Sequence, residues 1–167
     1  MSNPLLKAES SNIDAVVLQK IHPHLILCSK NGSELLTGNS CANITVASEI
    51  VCRFLKHHPS QYRACVFVGD TLLITYSKWK EIFELASSLL NKALKSGLHV
   101  ALSCHMGINR STCTILMYCI RRGLDLEKCL LYIRRRNWEK RNLPALTNTT
   151  FHRYLKRYAR EGMYTKF

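Results

Sequence analysis

The sequence predicts a single-domain α/β fold. Three observations carry this: a length of 167 residues, which suits one hydrophobic core; short apolar strand-like runs that alternate with helical periods through the middle of the chain; and helical periods alone after about residue 110. No internal repeat or low-complexity tract interrupts the pattern.

Residues 1–20 read as an N-terminal extension or helix. Their one apolar run, Ile13 to Leu18, could be a terminal helix packing on the domain or on a second subunit, which would make a homodimer. His24 to Cys28 (HLILC) reads as the first strand. The stretch KNGSELLTGNS that follows is turn-rich, with Gly32 and Gly38 as breakers. Asn43 to Ala47 (NITVA) reads as a second strand, and Glu49 to His58 as its extension or a short helix ended by Pro59. His57 and His58 adjoin a basic residue in a loop and read as surface rather than metal ligands.

Ala64 to Val68 (ACVFV) reads as a buried strand, followed by Gly69 and Asp70. Trp79, Ile82, Phe83, Ala86, Leu90 and Leu94 mark a long amphipathic helix, with Ser77 as its expected N-cap and Gly97 as its stop. Val100 to Leu102 reads as a short strand, and Cys113, Ile115, Leu116, Cys119 and Ile120 as the buried face of the next helix. Gly123 ends that helix and Asp125 caps another, carrying Leu126, Leu130 and Ile133. Pro144 lies in a connector, Asn148 caps a final helix through Phe151, Leu155 and Tyr158, and residues 163–167 form a tail.

The chemistry concentrates between Leu98 and Thr112, LHVALSCHMGINRST. A strand leads into a loop that closes on a helix N-terminus, so several unpaired backbone N–H groups and the positive end of a helix dipole converge on one point, where a phosphate dianion fits. Gly107 lets the loop turn. The same field favours a thiolate at Cys104 and leaves a nucleophile at neutral pH. Arg110 offers a planar fork for two phosphate oxygens, and Ser111 a hydroxyl for the departing thiolate. The phosphate-binding loop is thus His105, Met106, Gly107, Ile108, Asn109 and Arg110. Spacing alone is weak evidence, because Cys129 to Arg135 repeats it. That copy has no glycine and lies in a continuous helical period, where the N–H groups are consumed internally.

The loop CHMGINRS resembles the active-site loop of cysteine-dependent protein tyrosine phosphatases, and the chain is similar in length to their small dual-specificity branch. It resembles in particular poxvirus phosphatases and the second phosphatase type of insect baculoviruses. The resemblance runs from about His22 to about Tyr158 and implies a dual-specificity phosphatase-like catalytic domain over residues 21–162, with a central, mostly parallel sheet flanked by helices. It departs at Ser103, where the family has a histidine that orders the loop. The family's general acid occupies the loop before the long helix, and Asp70 matches it, being the one upstream carboxylate directly after a strand. The resemblance then implies catalysis by Cys104, Arg110, Asp70 and Ser111: a phosphocysteine forms as Asp70 protonates the leaving oxygen, and water activated by Asp70 hydrolyses it. No metal or other cofactor is expected.

The formal net charge of +13 suits polyanionic partners. Much of it falls late in the chain, from Arg121 to Arg160, where the plainer reading is a solvated helical face. Phosphorylated proteins are the expected substrates, on tyrosine and on serine or threonine. RNA 5′-phosphates are the alternative, and a non-catalytic phosphate-binding module is a third reading, supported by Ser103. Phosphoinositides rank lower, because the loop contains no lysine. The eight cysteines lie singly in the sequence, without metal-site spacing. With neither a secretory leader nor a membrane-spanning run, they imply reduced thiols in cytoplasm or nucleus, in an infected host cell if the protein is viral, with no secretion and no stable membrane association.

Overall fold

The computed structural model describes residues 14–33, 38–48 and 60–167. The expectations for Met1 to Ile13, Glu49 to His58 and Cys52 lie outside the described residues. In chain order the elements are β1 (Ala15–Val17), β2 (Leu25–Ser29), α1 (Lys30–Ser33), β3 (Gly38–Ala47), β4 (Ser60–Phe67), α2 (Tyr76–Lys95), β5 (His99–Cys104), α3 (Arg110–Arg121), α4 (Leu126–Arg141) and α5 (Thr149–Glu161).

The five strands form one sheet in the order β1-β2-β5-β3-β4, parallel throughout except for β1, which runs antiparallel to β2. β5 is the central strand, with Leu102 level with Leu27 of β2 and Ile44 of β3. The two-residue period of the strands sorts their side chains. Leu25, Leu27, Ile44, Val46, Val100 and Leu102 join the main core with the helices, while Ala15, Val17, Ile26, Cys28 and Ala101 form a smaller cluster on the opposite face. Parallel strands buried on both faces explain why these runs are apolar without alternation.

Several local expectations need correction. Gly32 and Gly38, read as breakers, lie within α1 and at the start of β3. Ile13 to Leu18 is not a helix where it is described: Ala15, Val16 and Val17 pair with Cys28, Leu27 and Ile26. Two β-branched valines favour an extended chain, and the open edge of β2 offers the hydrogen bonds. The long helix starts earlier than Ser77, at Tyr76, with Thr75 as the N-cap whose Oγ1 accepts from the Lys78 N–H at 3.4 Å. Tyr76 stacks on Trp79 with ring centroids 5.7 Å apart, which draws it into the helix.

The later helices start and stop where their side chains dictate. Asp125 Oδ1 accepts from the Lys128 N–H at 2.8 Å, and Asn148 Oδ1 from the Phe151 N–H at 3.0 Å. Gly97, Gly123 and Gly162 have positive φ just beyond the ends of α2, α3 and α5. α2 and α5 meet through aromatic rings, Phe83 against Phe151 and Trp79 against Tyr158. The C-terminal tail is docked: the Phe167 N–H donates to the Arg121 carbonyl at 3.0 Å, and the Arg121 guanidinium lies 4.0 Å from the Phe167 ring centroid. Every residue of α3 is buried.

Candidate active site

Cys104 ends the central strand, so its side chain emerges at the sheet's C-terminal edge, where the chain turns through His105 to Asn109 into α3. The sulfur is buried and accepts hydrogen bonds from the Gly107 N–H and the Ser111 hydroxyl, both at 3.2 Å. Burial by itself pushes the thiol pKa up. The Ser111 hydroxyl, the backbone N–H groups of Ser111 and Ile108 and the Arg110 guanidinium outweigh that effect, so the pKa is held below its ordinary value. This is the field expected of a loop wrapped over a helix N-terminus.

Gly107 is required sterically. Its φ is +67°, and a Cβ there would sit 2.6 Å from the Cys28 carbonyl oxygen and 2.8 Å from Arg141 Nη1. The loop passes between strand β2 and an arginine from α4. Met106 is exposed at the rim, as is His105.

Arg110 opens α3, its side chain folded inward and 8% exposed. One Nη1 hydrogen bond goes to the Val68 carbonyl at 3.2 Å, and the buried Nε has no partner among the described residues. A phosphate oxygen would supply one. The Val68 contact ties the guanidinium to the segment that carries Asp70.

Asp70 lies across the loop from the sulfur's own strand, anchored by two side-chain amides. Asn109 Nδ2 donates to Oδ2 at 2.9 Å and Asn148 Nδ2 to Oδ1 at 2.8 Å. Asn109 is a hub, its Oδ1 also accepting from the N–H groups of Thr147 and Asn148 at 2.7 and 2.9 Å. Among the predicted residues, Gly107 and Ser111 hydrogen-bond Cys104, Asn109 hydrogen-bonds Asp70, and Arg110 reaches the Val68 carbonyl, two residues before Asp70. The repeat at Cys129 and Arg135 is not a loop: the Cys129 N–H is spent on the Asp125 carbonyl, and Arg135 pairs with Glu139 at 2.7 Å.

Ser103 faces the neighbouring strand, its hydroxyl 3.1 Å from that of Thr45, and both are buried. The position before Cys104 is thus closed by a pair of small hydroxyls within the sheet.

Sequence reasoning missed Arg141, Asn137 and the site role of Asn148. The Arg141 side chain is 1% exposed and hydrogen-bonds the Met106 and Gly107 carbonyls, Asn137 Oδ1 and Asp14. In the sequence it is one of many cations in a basic run, and only its place in the last turn of α4, before the Asn142–Pro144 connector, sets it apart. Asn148 carries the signal of a helix cap, which hides its second task. Beside the loop, the 144–149 connector also walls a groove of about 590 Å³ lined by Arg134, exposed Trp138, Leu146, Thr147 and His152. The Leu146 N–H donates to the Ile108 carbonyl at 2.9 Å, so groove and loop share that wall.

The seven described cysteines are free thiols. Among the described residues, no group of three or more His, Cys, Asp or Glu side chains could hold a metal ion, and no helix is long and apolar enough to cross a membrane.

No protein-family model matches the chain. Mouse protein phosphatase Slingshot homolog 3 is 28% identical over 118 residues, which cover 68% of this chain and 17% of that protein's length. Among solved structures, a human tyrosine phosphatase-like serine/threonine/tyrosine-interacting protein superposes with a TM-score of 0.66 at 16% identity, covering 86% of this chain and 96% of its own. Human DUSP28 gives a TM-score of 0.61 at 20% identity over 89% of this chain and 94% of its own. A mouse putative dual specificity phosphatase gives 0.61 at 18% identity, over 84% and 85%. The fold is that of dual-specificity phosphatase-like proteins, with the expected single α/β domain and mostly parallel sheet.

Proposed function

We propose that this protein is a metal-independent protein phosphatase of the cysteine-dependent, dual-specificity type. The observation that carries the reading is the environment of Cys104: a buried sulfur whose pKa is nonetheless lowered, at the foot of a loop where the Arg110 Nε has no partner among the described residues. A buried thiol needs no such field to pack as a small hydrophobe. It needs one to act as a nucleophile on an anion.

In the mechanism that this geometry supports, the loop N–H groups and Arg110 bind the phosphoryl oxygens and hold phosphorus in line with Cys104 Sγ. The thiolate attacks phosphorus, the bond from phosphorus to the leaving oxygen breaks, and Asp70 gives that oxygen its proton. Water then attacks the phosphocysteine, losing a proton to Asp70, and the Ser111 hydroxyl stabilises the thiolate as it departs.

Substrates in this reading are phosphorylated proteins, on tyrosine and on serine or threonine. The groove beside the loop, with exposed Trp138 next to Arg134, supports a peptide that continues past the phosphorylated residue. RNA 5′-phosphates remain the alternative, supported by the +13 charge. A compartment that keeps thiols reduced, cytoplasm or nucleus, belongs to the proposal, as does a viral source with an infected cell as its setting.

The test is hydrolysis of a small aryl phosphate from about pH 5 to about pH 8 with chelator present, parent against Cys104→Ser. Turnover that is lost in the variant supports the reading, and phosphopeptides against 5′-phosphorylated RNA then decide the substrate. A folded parent without turnover, which still binds phosphopeptide, would instead make this a phosphate-binding module, the reading that Ser103 supports.

A further inference from the structure

We propose that Arg141 is a positioning residue of the phosphate site: its guanidinium, wedged behind the loop, pins the Met106 and Gly107 carbonyls outward and so keeps the loop N–H groups turned toward Cys104. The proposal rests on the phosphate-binding reading of that loop and does not require turnover.

A loop that gathers N–H groups on its inner side must turn carbonyls to its outer side, where a fixed donor can hold their direction. Arg141 provides it. Nη2 donates to the Met106 carbonyl at 2.6 Å and Nη1 to the Gly107 carbonyl at 3.2 Å. Its remaining bonds fix the guanidinium rather than leave it mobile: Nη1 also donates to Asn137 Oδ1 at 2.8 Å, and Nε to Asp14 Oδ1. Asn137, itself buried, donates to the Leu143 and Pro144 carbonyls at 3.2 and 2.8 Å and so ties the connector to the same point. All three guanidinium nitrogens are engaged on a side chain that is 1% exposed. Arg141 is the last residue of α4, and Asn142 turns the chain away at φ 52° immediately after it.

The planar fork matters as much as the charge. A lysine ammonium is a compact point charge and cannot reach Met106, Gly107, Asn137 and Asp14 together. The contact lies on the same residue as the sulfur's own donor, because the Gly107 N–H that reaches Cys104 Sγ belongs to the residue whose carbonyl Arg141 holds. Gly107 is also the residue whose Cβ would collide with Arg141 Nη1. Removing the wedge therefore loosens the N–H groups that favour the thiolate, although Arg141 touches neither sulfur nor substrate.

The experiment uses the full chain with Arg141→Lys and Arg141→Gln. Two readouts need no turnover: the titration of Cys104, followed by thiolate ultraviolet absorbance as a difference against Cys104→Ser, and the affinity for tungstate as an oxyanion probe. The expected result in both variants is an upward move of the Cys104 titration by about one unit, a tenfold loss of thiolate on the acid side, with tungstate binding about tenfold weaker. Where the parent turns over, the acid limb of kcat/KM moves with the thiol. Folded variants that titrate like the parent and bind tungstate equally would overturn the proposal. If neither Arg141 variant folds, Asp14→Asn decides. It removes the carboxylate that holds Nε, so an upward Cys104 titration supports the wedge and an unchanged one overturns it. A parent that binds tungstate yet hydrolyses nothing would sink the phosphatase reading while leaving this one standing.

Discussion

Replacing Gly107 by alanine separates two costs that usually arrive together. The first is conformational: φ is +67°, where an L-residue is disfavoured by ~1–2 kcal/mol. The second is steric, since the new Cβ would meet the Cys28 carbonyl oxygen at 2.6 Å and its carbon at 2.8 Å, both backbone atoms within the sheet. Overpacking of that kind costs ~1–3 kcal/mol, so the two together come to ~2–5 kcal/mol. Gly97→Ala supplies the control. Gly97 has nearly the same φ, +74°, but its Cβ would meet nothing within 4 Å among the described residues, so it bears only the first cost. Urea unfolding of the two variants should therefore differ by the steric cost, ~1–3 kcal/mol. If the loop instead shifts to relieve the clash, stability recovers but the Gly107 N–H leaves the sulfur, and aryl phosphate turnover falls on the order of a hundredfold, as for loss of one oxyanion donor. Equal stabilities for the two variants, with parental turnover in Gly107→Ala, would refute the account of this loop.

Other substitutions probe separate parts of the argument. Ser103→His would force an imidazole into the buried space beside Thr45 and should cost ~1–3 kcal/mol by overpacking, partly recovered in a double variant with Thr45→Ala; full stability in the single variant would show that space exists there. Cys104 ionises more readily in the folded chain than in the unfolded one, so its contribution to stability is complete above the unfolded thiol pKa and is lost as pH falls through the folded value. The melting temperature of the parent relative to Cys104→Ser should consequently rise from acidic to alkaline pH, and a flat difference would contradict the lowered pKa. His22 and His99 are held below the usual imidazole range, chiefly by burial and then by neighbouring His24. The unfolded chain binds those protons first, so stability is full above about pH 6.5 and declines as pH drops below it; His99→Gln should flatten that decline in unfolding titrations. Asn109→Ala removes one of the two amides on Asp70 without touching the sulfur, and should lower kcat for poor leaving groups more than for good ones.

The parts of this molecule that sequence made legible are those governed by local rules. The long apolar period of α2, the caps at Asp125 and Asn148 and the stop at Gly123 each depend on residues within one turn of each other, and they lie where their side chains require. The loop was legible for the same reason, since Cys104, Gly107, Arg110 and Ser111 fall within eight consecutive residues. The decoy at Cys129 could be dismissed by period alone. What escaped was set by partners distant in the chain. Ala15 to Val17 became a strand because β2 had an open edge, a fact that Ile13 to Leu18 does not contain. Arg141 reads as another solvated cation until α4 delivers it to a loop 34 residues earlier and to Asp14, 127 residues away. Asn148 shows one role locally and a second only across the fold, at Asp70.

Helix α3, buried along its whole length from Arg110 to Arg121, also limits how such a protein can diversify. With no face open to solvent, each of its residues is enclosed by packing, so drift along it is penalised and its amides should be among the last to exchange with solvent. The helix behaves as a mooring post: it fixes where Arg110 and Ser111 stand beside Cys104. Variation in what the protein recognises must therefore arise in the segments roped to it, the Asp70 loop and the 142–148 connector. Those segments can change in sequence while Cys104, Arg110 and Ser111 stay in place.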